Sequence, residues 1–199
     1  MVEHAAKGKL VVRLKGGDIS VFSNILDELQ TLVAHNIPYE IVPGITAALG
    51  AAAYSGIPLT ARNYSTGVRF LTYYKSDVVS EAYWKELAKT NDTLVFYMSA
   101  ETLGSVVEKL TANNIDSDKL LAVVEQATTP VQKIHIYNLY EYHIKIGDRK
   151  FISPSLVIIG KVVDLHLQYQ WLPNSIAVEE YFKPVPGKMI TDKRKAQRA

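Results

Sequence analysis

Gly16, Gly17 and Asp18 close the stretch VVRLKGGD (residues 11–18), where an apolar run meets two glycines and a carboxylate within eight positions. A strand running into such a pair presents unpaired N–H groups and no Cβ atoms at a sheet edge, the place where α/β proteins bind ligands. The same residues also suit a tight turn with Asp18 as a helix cap, and the spacing alone leaves both readings open. The pattern is neither the dinucleotide fingerprint nor a phosphate P-loop, because no third glycine and no GK followed by Ser or Thr is present. Five histidines (His4, His35, His135, His143, His166) lie without the spacing of a metal site, so no metal is expected. The chain has no cysteine and no GxSxG elbow, which leaves covalent hydrolysis without a nucleophile.

The elements that must position this ledge follow from periodicity and punctuation. Leu10 to Leu14 reads as a doubly buried strand. Asp18 then caps a helix carrying Val21, Phe22, Ile25, Leu26, Leu29, Leu32 and Val33 on one face and ending near His35 and Asn36. YEIV (39–42) predicts a second strand, Pro43 and Gly44 a turn, and ITAALGAAAYSG a helix whose small side chains let another backbone approach closely. After GIPLTAR the pattern restarts: strand 68–74, helix 77–89, strand 93–98, helix 101–112, strand 120–124, an alternating antiparallel strand 132–137, and an apolar strand within 153–163. Alternating strand and helix followed by late strands without long helices predicts an α/β protein with a mixed sheet.

Composition agrees with a soluble globular chain: 48% hydrophobic and 21% charged residues over 199 positions. There is no signal-peptide pattern and no apolar run of membrane length, so a cytoplasmic protein without a membrane partner is expected. Residues 183–199 hold six Lys or Arg and one Asp, a net +5 that leaves −3 for the first 182. With no aromatic residue among those charges, the tail predicts a solvated end and not a nucleic-acid arm. VEHAAKG resembles the last turns of a helix without its beginning, and the strand at 10–14 has a single candidate partner in the first sixty residues. The sequence therefore predicts that these 199 residues are the later part of a longer enzyme.

Taken together, VVRLKGGD, EIVPGITAALGAAAYSGIPLTAR, DTLVFYMS, ATTPVQK and SPSLVIIGKVV stand in an order and spacing that resemble the tetrapyrrole methylase family, over about residues 3–170. The resemblance implies two α/β lobes clasping S-adenosyl-L-methionine: an incomplete first lobe (1–64), a second lobe with a mixed sheet flanked by helices (65–172) and an extended basic tail (173–199). It carries cofactor contacts onto Gly16, Gly17, Asp18, Val21, Thr46, Ala47, Met98 and Ala127. Main-chain groups beside the glycines then reach the methionyl part, the Asp18 carboxylate suits a cationic end, and Met98 offers a soft surface to the adenine.

The substrate class it implies is a carboxylate-rich tetrapyrrole, for which Arg13, Arg62 and Arg69 are candidate clamps. The implied reaction is C-methylation of uroporphyrinogen III to precorrin-2, towards sirohaem or cobalamin, by a cytoplasmic homodimer. Methylation of a later corrin precursor, or an inactive cofactor-binding remnant, is the alternative. Where the family commonly reads GGDP followed by FGR, this chain has Ile19 and then Phe22, Ser23 and Asn24, and Ala61 stands where GIPLTHR has its His. The family's GxGPGD loop and its proton-handling acid and base match nothing here, so no catalytic residue is assigned.

Overall fold

A computed structural model describes residues 1–74, 78–146, 149–177 and 179–182. The described chain forms two compact units, divided between Thr46 and Ala47. The sequence reading put the division at 64/65; residues 47–64 instead group with the later unit.

The first unit holds helix α1 (Val2–Ala5) and helix α2 (Leu26–Ala34). Three sequence expectations are corrected in it. Neither 10–14 nor 39–42 is a strand, and Leu10, Val12 and Leu14 are 94%, 72% and 79% exposed. Apolar β-branched runs become strands only when a neighbour completes the hydrogen-bond ladder, and these segments have none among the described residues. The helix expected from Asp18 starts eight residues later, and its N-cap, Ile25, supplies no side-chain bond. No helix follows Asp18 directly, because Phe22 and Asn24 adopt left-handed backbone (φ 49° and 50°), which no helix tolerates; its carboxylate accepts from Ser20 and Gly44 instead. Lys15 and Arg13 instead meet on Glu28 of α2, at 3.0 and 3.2 Å.

The second unit matches its predicted elements closely. Helix α3 (Ala47–Ser55) is followed by strand β1 (Val68–Thr72), helix α4 (Glu81–Lys89), β2 (Thr93–Tyr97), α5 (Leu103–Ala112), β3 (Leu120–Glu125) and β4 (Lys133–Asn138). The short helix α6 (Tyr142–Ile146), β5 (Ser155–Gly160) and α7 (His166–Tyr169) complete it, with 3-10 turns leading into α6 and α7. The predicted start of α4 at Asp77 lies outside the described residues, as does the basic tail from 183.

The sheet order is β1-β2-β5-β3-β4; β1 and β2 are parallel and every other pairing is antiparallel. This is the mixed sheet the late strands imply, with the continuously apolar β2, β5 and β3 inside and the alternating β4 at an edge. Helices α4 and α5 cover one face. Leu103, Val106, Val107 and Leu110 recur at helical spacing on α5, Trp84, Leu87 and Ala88 face inward from α4, and both sets meet Leu94, Phe96, Leu121, Val123, Val157 and Ile159. Helix α3 packs against β5 on the unit's other side, with Ala48, Ala51, Ala52 and Ser55 buried. The 161–169 region had no sequence signal of helix. It is held by tertiary bonds: His166 Nδ1 lies 2.5 Å from the Ser55 carbonyl, and the Tyr169 carbonyl closes on Gly56.

Candidate functional site

In the first unit the GGD and VPG motifs are folded onto one another. The Gly44 N–H donates to Asp18 Oδ2 at 2.8 Å, while Ser20 donates to Asp18 Oδ1 from its N–H at 2.9 Å and from its hydroxyl. These donors, the Ser20 hydroxyl first, hold the Asp18 carboxyl below its ordinary value. Gly17 takes φ 112°, and a Cβ there would stand 3.4 Å from the Ile45 carbonyl oxygen. A Cβ on Gly44 would stand 2.9 Å from the Gly17 oxygen and 3.1 Å from the Asp18 nitrogen, so the two backbones touch only because Gly44 has no side chain, while Gly17 is favoured by its φ.

Gly16 differs from both neighbours. It is exposed, its φ is ordinary, and a Cβ would meet nothing within 4 Å. The fold makes no demand for glycine there, which leaves an open ledge over a backbone pinned from behind. Val21 lies one turn further on, its N–H 3.4 Å from the Asp18 carbonyl, and Thr46 is buried at the end of the unit. A shallow groove of about 420 Å³ runs from Asp18 and Ser20 over Ile19, Ile25, Leu29, Ile41 and Pro43. Gly16→Ala is expected to leave the melting temperature unchanged within about a degree and to weaken any ligand lying on the ledge. Thermal denaturation alongside calorimetric titration checks both halves.

In the second unit, β5 is antiparallel to both β2 and β3, so β1, β2 and β3 all end at the same edge of the sheet. Met98 and Ala127, which follow β2 and β3, emerge there. Helix α3 begins at that edge too: the Ala48 N–H donates to the Tyr97 hydroxyl at 3.0 Å, and a Cβ on Gly50 would lie 3.3 Å from the Thr128 methyl. The small-residue helix thus accepts close neighbours, as its composition suggests, and Ala47, Met98 and Ala127 are brought together.

Three non-glycine residues at this edge hold left-handed backbone: Met98 (φ 52°), Gln126 (φ 47°) and Thr128 (φ 67°). Such conformations persist only where surroundings over-determine them, and they gather at ligand sites. Here the supports are visible. The buried Gln132 accepts from the Thr128 N–H at 2.8 Å and donates to the Tyr54 carbonyl, and the Gln126 N–H donates to the Pro154 carbonyl at 2.7 Å. Met98 itself is 50% exposed.

The candidate clamps have different surroundings. Arg69 sits near the start of β1, away from the edge bearing Met98. Its guanidinium is engaged by Asp92 at 2.7 Å and Glu86 at 2.6 Å, which raise its pKa, and it ties β1 to the α4–β2 connection. Arg13 shares Glu28 with Lys15, and Arg62 is exposed in the turn closed by Ala61 and Ser65. Among the described residues no cluster of three metal-ligating side chains occurs, and no helix is long and apolar enough to cross a membrane. Sequence reasoning did not single out Gly44, Gln126 or Gln132, whose bonds hold these two places. Only Gly44 carried a signal, as the glycine inside VPGIT.

The profile of the Tetrapyrrole (Corrin/Porphyrin) Methylases matches residues 1–142. A siroheme synthase from Acinetobacter baylyi is 44% identical over 172 residues, covering 86% of this chain and 38% of its own length. The uroporphyrin-III C-methyl transferase of Thermus thermophilus, crystallised with S-adenyl homocysteine, is 30% identical with a TM-score of 0.68, over 82% of this chain and 71% of that one. A cobalt precorrin-4 methyltransferase superposes with a TM-score of 0.73 at 24% identity, which shows the shared fold. The chain belongs to the tetrapyrrole methylase family. It spans less than two fifths of the length of the siroheme synthases it matches.

Proposed function

We propose that this chain contributes S-adenosylmethionine binding to a uroporphyrinogen-III C-methyltransferase, forming precorrin-2. The observation that carries the reading is the Gly16–Asp18 ledge, open at Gly16 and braced from behind by Gly44. Support comes from the 30% identity to the Thermus thermophilus enzyme and from the Met98–Ala127 edge, with its exposed thioether and left-handed loop residues. The residues present suit this cofactor. Main-chain groups at Gly16 and Gly17 are accessible to its methionyl part. Asp18 retains lone pairs beyond its bonds to Ser20 and Gly44 for a cationic group, and Met98 offers a polarizable apolar surface to a base. Val21, Thr46, Ala47 and Ala127 complete the proposed contacts.

When bound, S-adenosylmethionine supplies an electrophilic methyl on a sulfonium. Transfer to an electron-rich ring carbon needs alignment above all, and the charge on sulfur vanishes as it proceeds, so a site that holds rather than solvates is the contribution this chain can make. Arg62 and Arg13 are proposed to receive carboxylates of the macrocycle. Homodimerisation and a cytoplasmic location belong to the same proposal.

The test is calorimetric titration with S-adenosylhomocysteine, followed by methyl transfer from labelled S-adenosylmethionine to uroporphyrinogen III. Saturable binding and a labelled precorrin-2 are expected. Binding with methylation only of a later corrin precursor would replace the substrate, and absence of binding would end the reading.

A further inference from the structure

We propose that Tyr74 is a positioning residue of the candidate cofactor site, its hydroxyl holding the Met98 thioether in one orientation for an aromatic base to rest on. The inference rests on the reading of Met98 as a cofactor contact. Tyr74 Oη donates to Met98 Sδ at 3.2 Å. Thioether sulfur is a weak acceptor, and a half-exposed methionine with three rotatable bonds ordinarily samples several rotamers. Neither partner is part of the buried core, Tyr74 being 40% exposed and Met98 50%, so packing does not call for the pair.

The main chain nevertheless delivers both side chains to each other with little freedom. Tyr73, the neighbour of Tyr74, donates its N–H to Ser99 Oγ at 3.0 Å and accepts from Thr102 Oγ1 at 2.7 Å. Ser99 Oγ in turn donates to the Tyr97 carbonyl at 2.8 Å, so the residues on either side of Met98 are bound to one another and to the end of β1. Met98 stands between them in left-handed backbone, a conformation unfavourable for a long side chain and held here by these three hydrogen bonds around it. The arrangement fixes an exposed sulfur at the sheet edge where Ala47 and Ala127 also lie. A ligand that meets an exposed side chain already ordered binds with less entropic loss.

The experiment compares the full chain with Tyr74→Phe, Met98→Leu and the double variant. It uses methyl-13C-methionine relaxation, with the Met98 signal assigned by its loss in Met98→Leu, and calorimetric titration with S-adenosylhomocysteine. In Tyr74→Phe the Met98 methyl order parameter is expected to fall and affinity to drop about 3- to 10-fold, the range of one net hydrogen bond, at unchanged melting temperature. The double variant is expected to bind no worse than Met98→Leu, since the hydroxyl acts through the sulfur. An unaltered Met98 order parameter, an unaltered affinity, or additive losses in the double variant would each overturn the inference while leaving cofactor binding intact. A wild-type chain that does not bind S-adenosylhomocysteine overturns the parent reading, and this inference with it.

Discussion

Gly44→Ala is expected to weaken S-adenosylhomocysteine binding at least tenfold, far more than any effect of Gly16→Ala on stability. The added methyl would stand 2.9 Å from the Gly17 oxygen and 3.0 Å from its carbonyl carbon. Both are backbone atoms that no rotamer change can move aside, so the ledge itself must shift, and overpacking of this kind costs about 1–3 kcal/mol. Moving the ledge also lengthens the bond from the Gly44 N–H to Asp18 Oδ2. That gives a readout independent of any ligand. The Asp18 carboxyl is held low by the Ser20 hydroxyl first and the Gly44 N–H second, so losing the latter lets its pKa rise part of the way toward the ordinary carboxylate value. Carboxyl-carbon NMR titration would show the rise, and calorimetry the lost affinity. A variant with an unshifted Asp18 titration and wild-type affinity would contradict the bracing role of Gly44. The second unit should be untouched, so its far-ultraviolet dichroism is a control for global unfolding.

How far the sequence could be read differs between the units for a physical reason. In the second unit each strand finds its neighbours within the described chain, and apolar runs such as TLVFY become the buried strands they resemble. In the first unit equally apolar segments, VVRL and YEIV, remain outside any ladder, because β structure depends on a partner and not on propensity alone. The helix expected from Asp18 failed for a local cause, the left-handed backbone at Phe22 and Asn24. The Asp18 carboxylate accepts from Ser20 and Gly44 instead, and the position of Gly44 across the loop is invisible in a linear reading. The motifs on which the proposed contacts rest, GGD, VPGIT and the segment around Met98, could be read from the sequence. Bonds made by side chains that reach across the fold, as Gln132 and Tyr74 do, could not.

The second large effect concerns Glu125, the last residue of β3, whose side chain is 3% exposed. Its Oε1 accepts from the Ile152 N–H at 2.6 Å, and its Oε2 lies 2.9 Å from His135 Nε2, with the Arg149 guanidinium 3.1 Å from that same nitrogen. A single ring nitrogen cannot donate to the carboxylate and accept from arginine at once. With Nε2–H given to Glu125, Arg149 serves as a neighbouring positive charge, stacked over Phe151. Burial pushes the Glu125 carboxyl up, but the bonds from His135 and Ile152 together with the nearby charges outweigh it, and its pKa lies below the ordinary value of 4.5. A carboxyl depressed in the folded state stabilises the fold fully above its unfolded pKa, and that stabilisation is lost as pH falls from about 4.5 through the folded value. Glu125→Ala strands the half-buried Ile152 N–H and the His135 ring, and is expected to cost about 2–4 kcal/mol, read as a melting temperature lower by roughly 5–15 °C at neutral pH. Glu125→Gln keeps an acceptor for Ile152 and should cost less, while flattening the decline of stability below pH 4.5, because the group that titrates there is gone. The residues after Glu125 extend the consequence to function. The Gln126 N–H is bonded to the Pro154 carbonyl, so the strand end carrying Ala127 and the 149–154 segment held by Glu125 are tied together. Releasing that segment should therefore loosen the Ala127 loop, and S-adenosylhomocysteine affinity is expected to fall in Glu125→Ala even at temperatures where the unit remains folded. An acid limb as steep in Glu125→Gln as in the parent chain would show that this carboxylate does not govern acid stability.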